Sequence, residues 1–375
     1  MRYLLPWFVF FALVLFVEGC IEPFSPPEVN SVESYLVVDG FLNLSQDTSR
    51  IELRRTQNTK QVGNPVIERG ATVSVEAESG ESYAFKETGA GIYLSPPKQY
   101  SRATKYRLRI KTGGGKEYLS DYVAVSITPS IDSVTYKVDR FLNAAVFYVN
   151  THDPANKTKF YRWKFDETWE YRTAYYTALE VINKKIVTRK EDVSLCYRTQ
   201  KSTNIVLGNT IKLTNDVISD LPLFQVPIVT NKLYIKYSVL VKQYALSQTA
   251  FEYWTSLAKT TQATGGLFDP QPSQVTGNIG NTKDPKELVF GYFSASTVAS
   301  TRLTISPNLG AYPRCQDPDT LDVVCNPRSE RPCALETSEL LLQYVGRNSE
   351  FVLGAPPSCT DCRTQGGTTV RPSFW

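Results

Sequence analysis

Short runs of alternating apolar and polar residues, broken by turn residues at about ten-residue intervals, fill the chain from Tyr35 to Ile127. YLVVDGFLNL, RIELRRT, ATVSVEAESG, TKYRLRIKTGGG and KEYLSDYVAVSI follow one another with little between them. Successive side chains of a strand point to opposite faces, so Tyr106, Leu108 and Ile110 share one side and Lys105, Arg107, Arg109 and Lys111 the other. Seven or so such strands predict a β-sandwich. Glycines at 89, 91 and 113–115 fall where hairpins must turn, because glycine accepts positive φ freely. Thr112-Gly-Gly-Gly-Lys116 lacks the spacing of a phosphate loop and no helical pattern follows it, which makes it a hairpin tip.

Pro129-Ser130-Ile131-Asp132 marks a seam, and the strands beyond it are more aromatic. In YRWKFDETWEYR, Tyr161, Trp163, Phe165, Trp169 and Tyr171 alternate with charged and polar neighbours, so one face is expected to be buried and the other wet. Five rings in line read first as a sheet face on a core; the competing reading makes Trp163 and Trp169 an exposed platform for a sugar or peptide. Asn231–Ser247 is another long strand and runs into a helix near 247–262, with Ser247 as N-cap, Phe251, Trp254 and Leu257 as its apolar stripe and Gly265-Gly266 as its stop. The stretch from Phe268 to Glu287 is rich in Pro, Gly and Asn, a loop long enough to be a contact surface, with Phe268 and Asn278 as candidates. Strand character returns from Glu287 to Ile305, and the tail from Pro307 holds Cys315, Cys325, Cys333, Cys359 and Cys362 among prolines and glycines, a composition suited to loops stapled by disulfides.

The expected fold class is therefore mainly β. An N-terminal immunoglobulin-like or transthyretin-like β-sandwich (35–128) precedes a second, larger β-sandwich (129–306) with one or two short helices. A disulfide-stapled, Cys-rich C-terminal region (307–375) packs on the second domain.

Ahead of all this stand a basic start at Arg2 and fourteen residues, Leu4 to Val17, without a charged side chain. As a helix they reach about 21 Å, short of a roughly 30 Å hydrocarbon core, so they read as a secretory signal (1–19) and not as a span. Val17-Glu18-Gly19-Cys20 resembles a bacterial lipobox, with Glu18 where a small residue is usual, and makes Cys20 the expected lipidation site. Residues 20–34, with three prolines, then form a tether. Of seven cysteines, setting Cys20 aside leaves an even six, Cys196 and the five in the tail, as disulfide candidates in an oxidising compartment. Their connectivity is open; Cys359 with Cys362 is the expectation on proximity alone.

Composition narrows the chemistry. A net charge of +4 without a basic stripe argues against nucleic acid. With a single histidine, His152, a zinc site of two or three histidines is excluded, and Thr151-His152-Asp153-Pro154 reads as a turn. Cys359-Thr-Asp-Cys362 has redox spacing, but no helical pattern follows to lower a thiol pKa, so a structural disulfide is expected. Asp166 and Glu170 lie about 13 Å apart along one strand, too far for a glycosidase pair. No catalytic residue, metal or cofactor is expected.

CIEPF from Cys20, YLVVDGFL, SQTAFEYWTSLAKTTQATGGLFDPQPSQVTGNIGN, ELVFGYFSAS and the closing CTDCRTQGGTTVRPSFW, in that order, together resemble a Bacteroidetes lipoprotein family known as domain of unknown function 4249. The resemblance implies an outer-membrane, lipid-anchored protein with a TonB-dependent outer-membrane receptor as partner, and supplies no catalytic residue. The function expected is that of a non-catalytic accessory lipoprotein, with a glycan- or peptide-binding module or secreted hydrolase as the alternative.

Overall fold

The computed structural model describes residues 34–45, 47–57, 66–262, 275–310 and 312–375. The signal-like segment, Cys20 and Phe268 lie outside the described residues, so neither lipidation nor the Phe268 contact is addressed by it. Within the described residues, no helix is long and apolar enough to cross a membrane.

The protein is mainly β. Its first ladder has eleven strands: nine run, in spatial order, through Ile279–Asn281, Glu117–Ser120, Lys105–Lys111, Thr72–Ala77, Ser82–Gly89, Ile92–Ser95, Ser49–Arg55, Leu36–Asn43 and Val289–Ser296, while Val66–Ile67 pairs beside Ser49–Arg55 and Val123–Ala124 beside Lys105–Lys111. Alternation decides which side chains enter the core: Tyr106, Leu108 and Ile110 are fully buried together with Leu36, Leu42, Ile51 and Phe293. The hairpin tip at Thr112–Lys116 is closed by Thr112 N donating to Lys116 O at 2.9 Å, with Gly115 at positive φ.

Two strands of this first module come from far along the chain. Val289–Ser296 pairs in parallel with Leu36–Asn43, from Leu36 opposite Val289 to Asn43 opposite Ser296. Ile279–Asn281 adds to the other end beside Glu117–Ser120. Both lie in the stretch expected to build the second domain. A parallel neighbour needs a long crossover, and here the whole of the second module's strands up to Ala245, plus the helix, supply it. Close approach at this join requires glycine. A Cβ on Gly291, which has φ near +111°, would sit 1.8 Å from Val38 O, and one on Gly277 would sit 1.4 Å from Gly291 O.

The second module stacks a three-stranded sheet, Ile131–Asp139, Ala144–His152 and Val217–Pro227, on a five-stranded one. The latter orders Leu195–Lys201, Phe160–Arg172, Lys236–Ala245 and Val298–Ile305, with Val206–Asn209 beside Phe160–Trp163. Between them Tyr161, Trp163, Phe165, Phe147 and Tyr237 are buried, with Phe224 stacked 4.8 Å from Phe147 and 3.9 Å from Phe165. The chain passes from the first module at Thr128, whose N donates to Thr297 Oγ1 at 2.8 Å. It passes again at Thr297, which separates Val289–Ser296 from Val298–Ile305.

The tail departs from the expected loops. It holds a small sheet, Asp319–Asp322, Phe351–Ala355 and Leu340–Val345, with its own core of Leu321, Leu341, Val352 and Leu179. Its apolar residues alternate too briefly among prolines and glycines to announce strands, and their burial together with Leu179, far earlier in the chain, is set by the tertiary fold. All six disulfide candidates are paired: Cys196–Cys362, Cys315–Cys359 and Cys325–Cys333. The expected Cys359–Cys362 bridge is thereby corrected. The two cysteines belong to successive short turns, Pro357–Thr360 and Cys362–Gln365. Cys362 turns into the second module's core beside Cys196, Cα to Cα 5.7 Å, while Cys359 meets Cys315 at 6.0 Å; both separations suit a disulfide.

Candidate functional site

The aromatic strand is a core strand. Trp163 is fully buried and its Nε1 donates to Gln243 Oε1 at 2.8 Å; Trp169 is 4% exposed beneath the Lys232 ammonium, 4.6 Å from the ring centroid. Neither ring face can receive a ligand, which corrects the platform reading. The rings lie inside because a second sheet covers them, and a single strand's alternation shows only that one face differs from the other.

The opposite face of the same strand, expected to be wet, is half-buried. It carries Arg162, Lys164, Asp166 and Glu170, and three separate elements cover it. At one end the helix Gln248–Thr261 lays Trp254 on Arg162, the guanidinium carbon 3.3 Å from the ring centroid, and Phe251 against Phe160 at 4.9 Å. Ser247 caps that helix by accepting from Ala250 N at 3.2 Å. At the other end the C-terminus folds back: Trp375 Nε1 donates to Glu170 Oε2 at 2.8 Å, and Phe374 lies under Arg302 at 3.5 Å. Between them the first module's strand Leu36–Asn43 approaches, with Phe41 edge-on to Tyr244 at 5.3 Å.

Two clefts open along this seam, one of about 660 Å³ and one of about 640 Å³, and Leu246 and Ser294 line both. The first lies between the helix and the first module, among Asp121, Tyr122, Glu252, Tyr253, Asn278 and Tyr292. Its polar groups are largely engaged. Thr249 Oγ1 and the Tyr292 hydroxyl are 3.0 Å apart, and burial pushes the Tyr253 phenol up to about 12. Asn278 faces this cleft, but its amide acts as a surrogate strand residue: Nδ2 donates to Phe293 O at 2.9 Å and Oδ1 accepts from Phe293 N at 2.8 Å. Its first role is to join the far ends of the first ladder.

The second cleft lies between the polar faces of the two modules. Arg162, Lys164, Lys201, Lys242 and Arg50 line it with Asp39, Asp47, Glu52 and Asp166, along with Phe41, Tyr244 and Trp254. Lys242 pairs with Asp166 at 2.8 Å and Arg50 with Glu52 at 2.5 Å. Burial pushes the Arg162 guanidinium down to about 10, although Asp39 works the other way. Burial also lowers Lys164, with the Arg162 charge adding to it. Sequence reasoning missed Arg162 and Lys164. Their placement between aromatic residues marked them as the outer face, and nothing local shows that another module covers that face.

No arrangement suited to nucleophilic or redox chemistry emerges among the described residues. His152 Nδ1 lies 2.7 Å from Asp132 Oδ2 at an exposed strand end, and Asp166 and Glu170 are held by Lys242 and Trp375. Cys325, Cys333 and Glu336 cluster closely enough to suggest a metal, but the two sulfurs are joined in a disulfide and are not thiolate ligands.

A family model described as Domain of unknown function (DUF4249) matches residues 21–302. The chain belongs to that family. The match covers both modules and the seam between them, and stops short of the tail. No functionally curated protein matches the chain. Among solved structures, native alpha-2-macroglobulin of E. coli is 10% identical with a TM-score of 0.18, over 59% of this chain and 14% of that one. A mutant Salmonella alpha-2-macroglobulin gives 10% identity and 0.18 over 90% and 17%. The chain thus spans less than a fifth of either, and a TM-score of 0.18 is too low to transfer fold or function.

Proposed function

We propose that this protein is a non-catalytic outer-membrane lipoprotein of the Bacteroidetes type, anchored through Cys20, that binds a ligand or partner as an accessory to a TonB-dependent transporter. The observation that carries the binding reading is the pair of contiguous clefts along the seam between the modules, into which charged and aromatic side chains turn without forming a catalytic set. Clefts of a few hundred Å³ lined by rings and a few polar groups are the usual form of a small-ligand site. The anchor reading draws on sequence: Leu4–Val17, then Gly19-Cys20, and a family match that begins at the next residue. The outer-membrane and transporter readings rest on the family resemblance.

Extraction of the native protein in mild detergent after crosslinking is expected to recover it with a β-barrel receptor. Consistent recovery of the protein alone would overturn the accessory role. A mass spectrum of the mature N-terminus is expected to begin at Cys20 and to carry acyl chains; an unmodified N-terminus would overturn the anchor.

A further inference from the structure

Positions 162, 164 and 166 share the face of the Phe160–Arg172 strand that looks away from the second module's core. Across the ladder Arg162 stands opposite Tyr244, Lys164 opposite Lys242, and Asp166 opposite Leu240. Like charges directly opposite one another on antiparallel strands repel and lower stability. Asp166 answers Lys242, reaching it diagonally at 2.8 Å. Lys164 and Lys201 form no ion pair among the described residues, and neither does Arg162. The Arg162 Nε is closed off from solvent without any acceptor. A buried donor left without a partner, on a charge half stripped of water, costs stability that the fold does not recover. Stacking on Trp254 fixes the plane of this guanidinium and occupies one of its faces, so an anion in the cleft would meet its terminal nitrogens, which unlike Nε are not sealed.

The carboxylates nearby do not complete the set. Glu52 is shared by Arg50 and Arg54, and Asp47 Oδ1 accepts from Thr48 N at 2.7 Å. Asp39, from the facing strand of the first module, is the acid whose charge reaches both Arg162 and Lys164, yet it is exposed and makes no ion pair with either. Lys201 stands opposite Asp166 on the neighbouring strand, so what the cleft lacks is a negative group beside Arg162 and Lys164, within reach of the exposed Lys201 side chain.

We propose that the cleft between the two modules binds a small anion bearing a carboxylate or phosphate group, held by Arg162, Lys164 and Lys201, with the rest of the ligand against Phe41 and Tyr244. The inference deepens the ligand-binding part of the function above and rests on it; it does not need the transporter. Anion binding by a protein that never meets a barrel would sink the accessory role alone, and a transporter complex without anion binding would sink this inference alone.

The test is titration calorimetry on the full chain in detergent, with inorganic phosphate, citrate and D-glucuronate as probes and D-glucose as the neutral control. Intrinsic tryptophan fluorescence serves as a second readout, since the Trp254 ring touches Arg162, with Trp254→Phe as the control that assigns the change among the chain's tryptophans. At least one of the three anions is expected to bind saturably, more weakly as salt rises, while glucose does not. Phosphate against the two carboxylates decides which acidic group is preferred. Arg162→Met and Lys164→Met are each expected to weaken binding at least tenfold. Asp39→Asn is expected to tighten it several-fold, a gain that misfolding cannot imitate. No saturable binding of any of the three anions at millimolar concentration would overturn the proposal. So would binding that all three substitutions leave unchanged.

Discussion

Arg162 illustrates how a residue's identity and its surroundings can pull apart. A cation with one nitrogen sealed from water and unbonded is a stability cost, so replacing it by an apolar side chain of similar length should cost nothing. Arg162→Met is expected to melt at or above the wild-type temperature in differential scanning calorimetry, even as it loses the anion. A clear drop in melting temperature would mean the guanidinium supports the fold. His152 gives the opposite case, an exposed group improved by its neighbour. The hydrogen bond to Asp132, and then the carboxylate charge, raise the imidazole above its ordinary 6.5. Because the folded-state value is the higher one, the pair's contribution is complete below pH 6.5 and disappears as pH rises through the elevated value. Both groups are exposed, so the effect on global stability is small. With only one histidine in the chain, its ring proton signals in NMR titrate without ambiguity. Their midpoint should lie above 6.5 and return toward it in Asp132→Asn; a wild-type midpoint at or below 6.5 would show that the contact does not form.

At the scale of elements, the helix and the aromatic strand were both legible, for different reasons. The Ser247 cap and the spacing of Phe251, Trp254 and Leu257 are local signals, and the helix forms over Gln248–Thr261. Removing the cap with Ser247→Ala should cost about 1 kcal/mol in denaturant unfolding, without changing the fold. The strand's alternation was equally plain, but its two faces were only half interpretable: the ring side is core, and the charged side is roofed by the helix, the C-terminus and the first module. Trp163→Ala should lower stability by roughly 3 to 5 kcal/mol, because it leaves a ring-sized cavity and strands the Gln243 amide. The parallel join of Leu36–Asn43 with Val289–Ser296 had no local signature. It depends on Gly291, where a methyl group would meet the Val38 backbone. Gly291→Ala should cost about 3 kcal/mol through backbone strain and overpacking together, read as a shift in the unfolding midpoint. A near-neutral result would mean that this strand does not sit where the ladder places it.

For the whole molecule, the disulfides and the crossovers set which pieces act together. Cys196–Cys362 spans 166 residues and fastens the tail to the edge strand of the five-stranded sheet. Chain-entropy arguments give such a long closure a contribution of roughly 2 to 5 kcal/mol. The double replacement of Cys196 and Cys362 by Ser should therefore lower the melting temperature and expose the tail beyond Thr360 to protease before the modules unfold. The crossings at Thr128 and Thr297 make the modules interdependent, since the first ladder needs two strands that come after most of the second module in sequence, and the second module needs Val298–Ile305 after them.

The sequence by itself determined the class of structure, the strand-forming stretches, the helix with its cap, the even set of six pairing cysteines and the family, because each of these is written in local patterns or in the order of distinctive blocks. Tertiary structure alone decided which cysteine met which, which strands closed the first ladder, and that Arg162 and Lys164 line a cleft. Those outcomes depend on what packs over a face from far along the chain, and alternation within a strand carries no information about what lies above it.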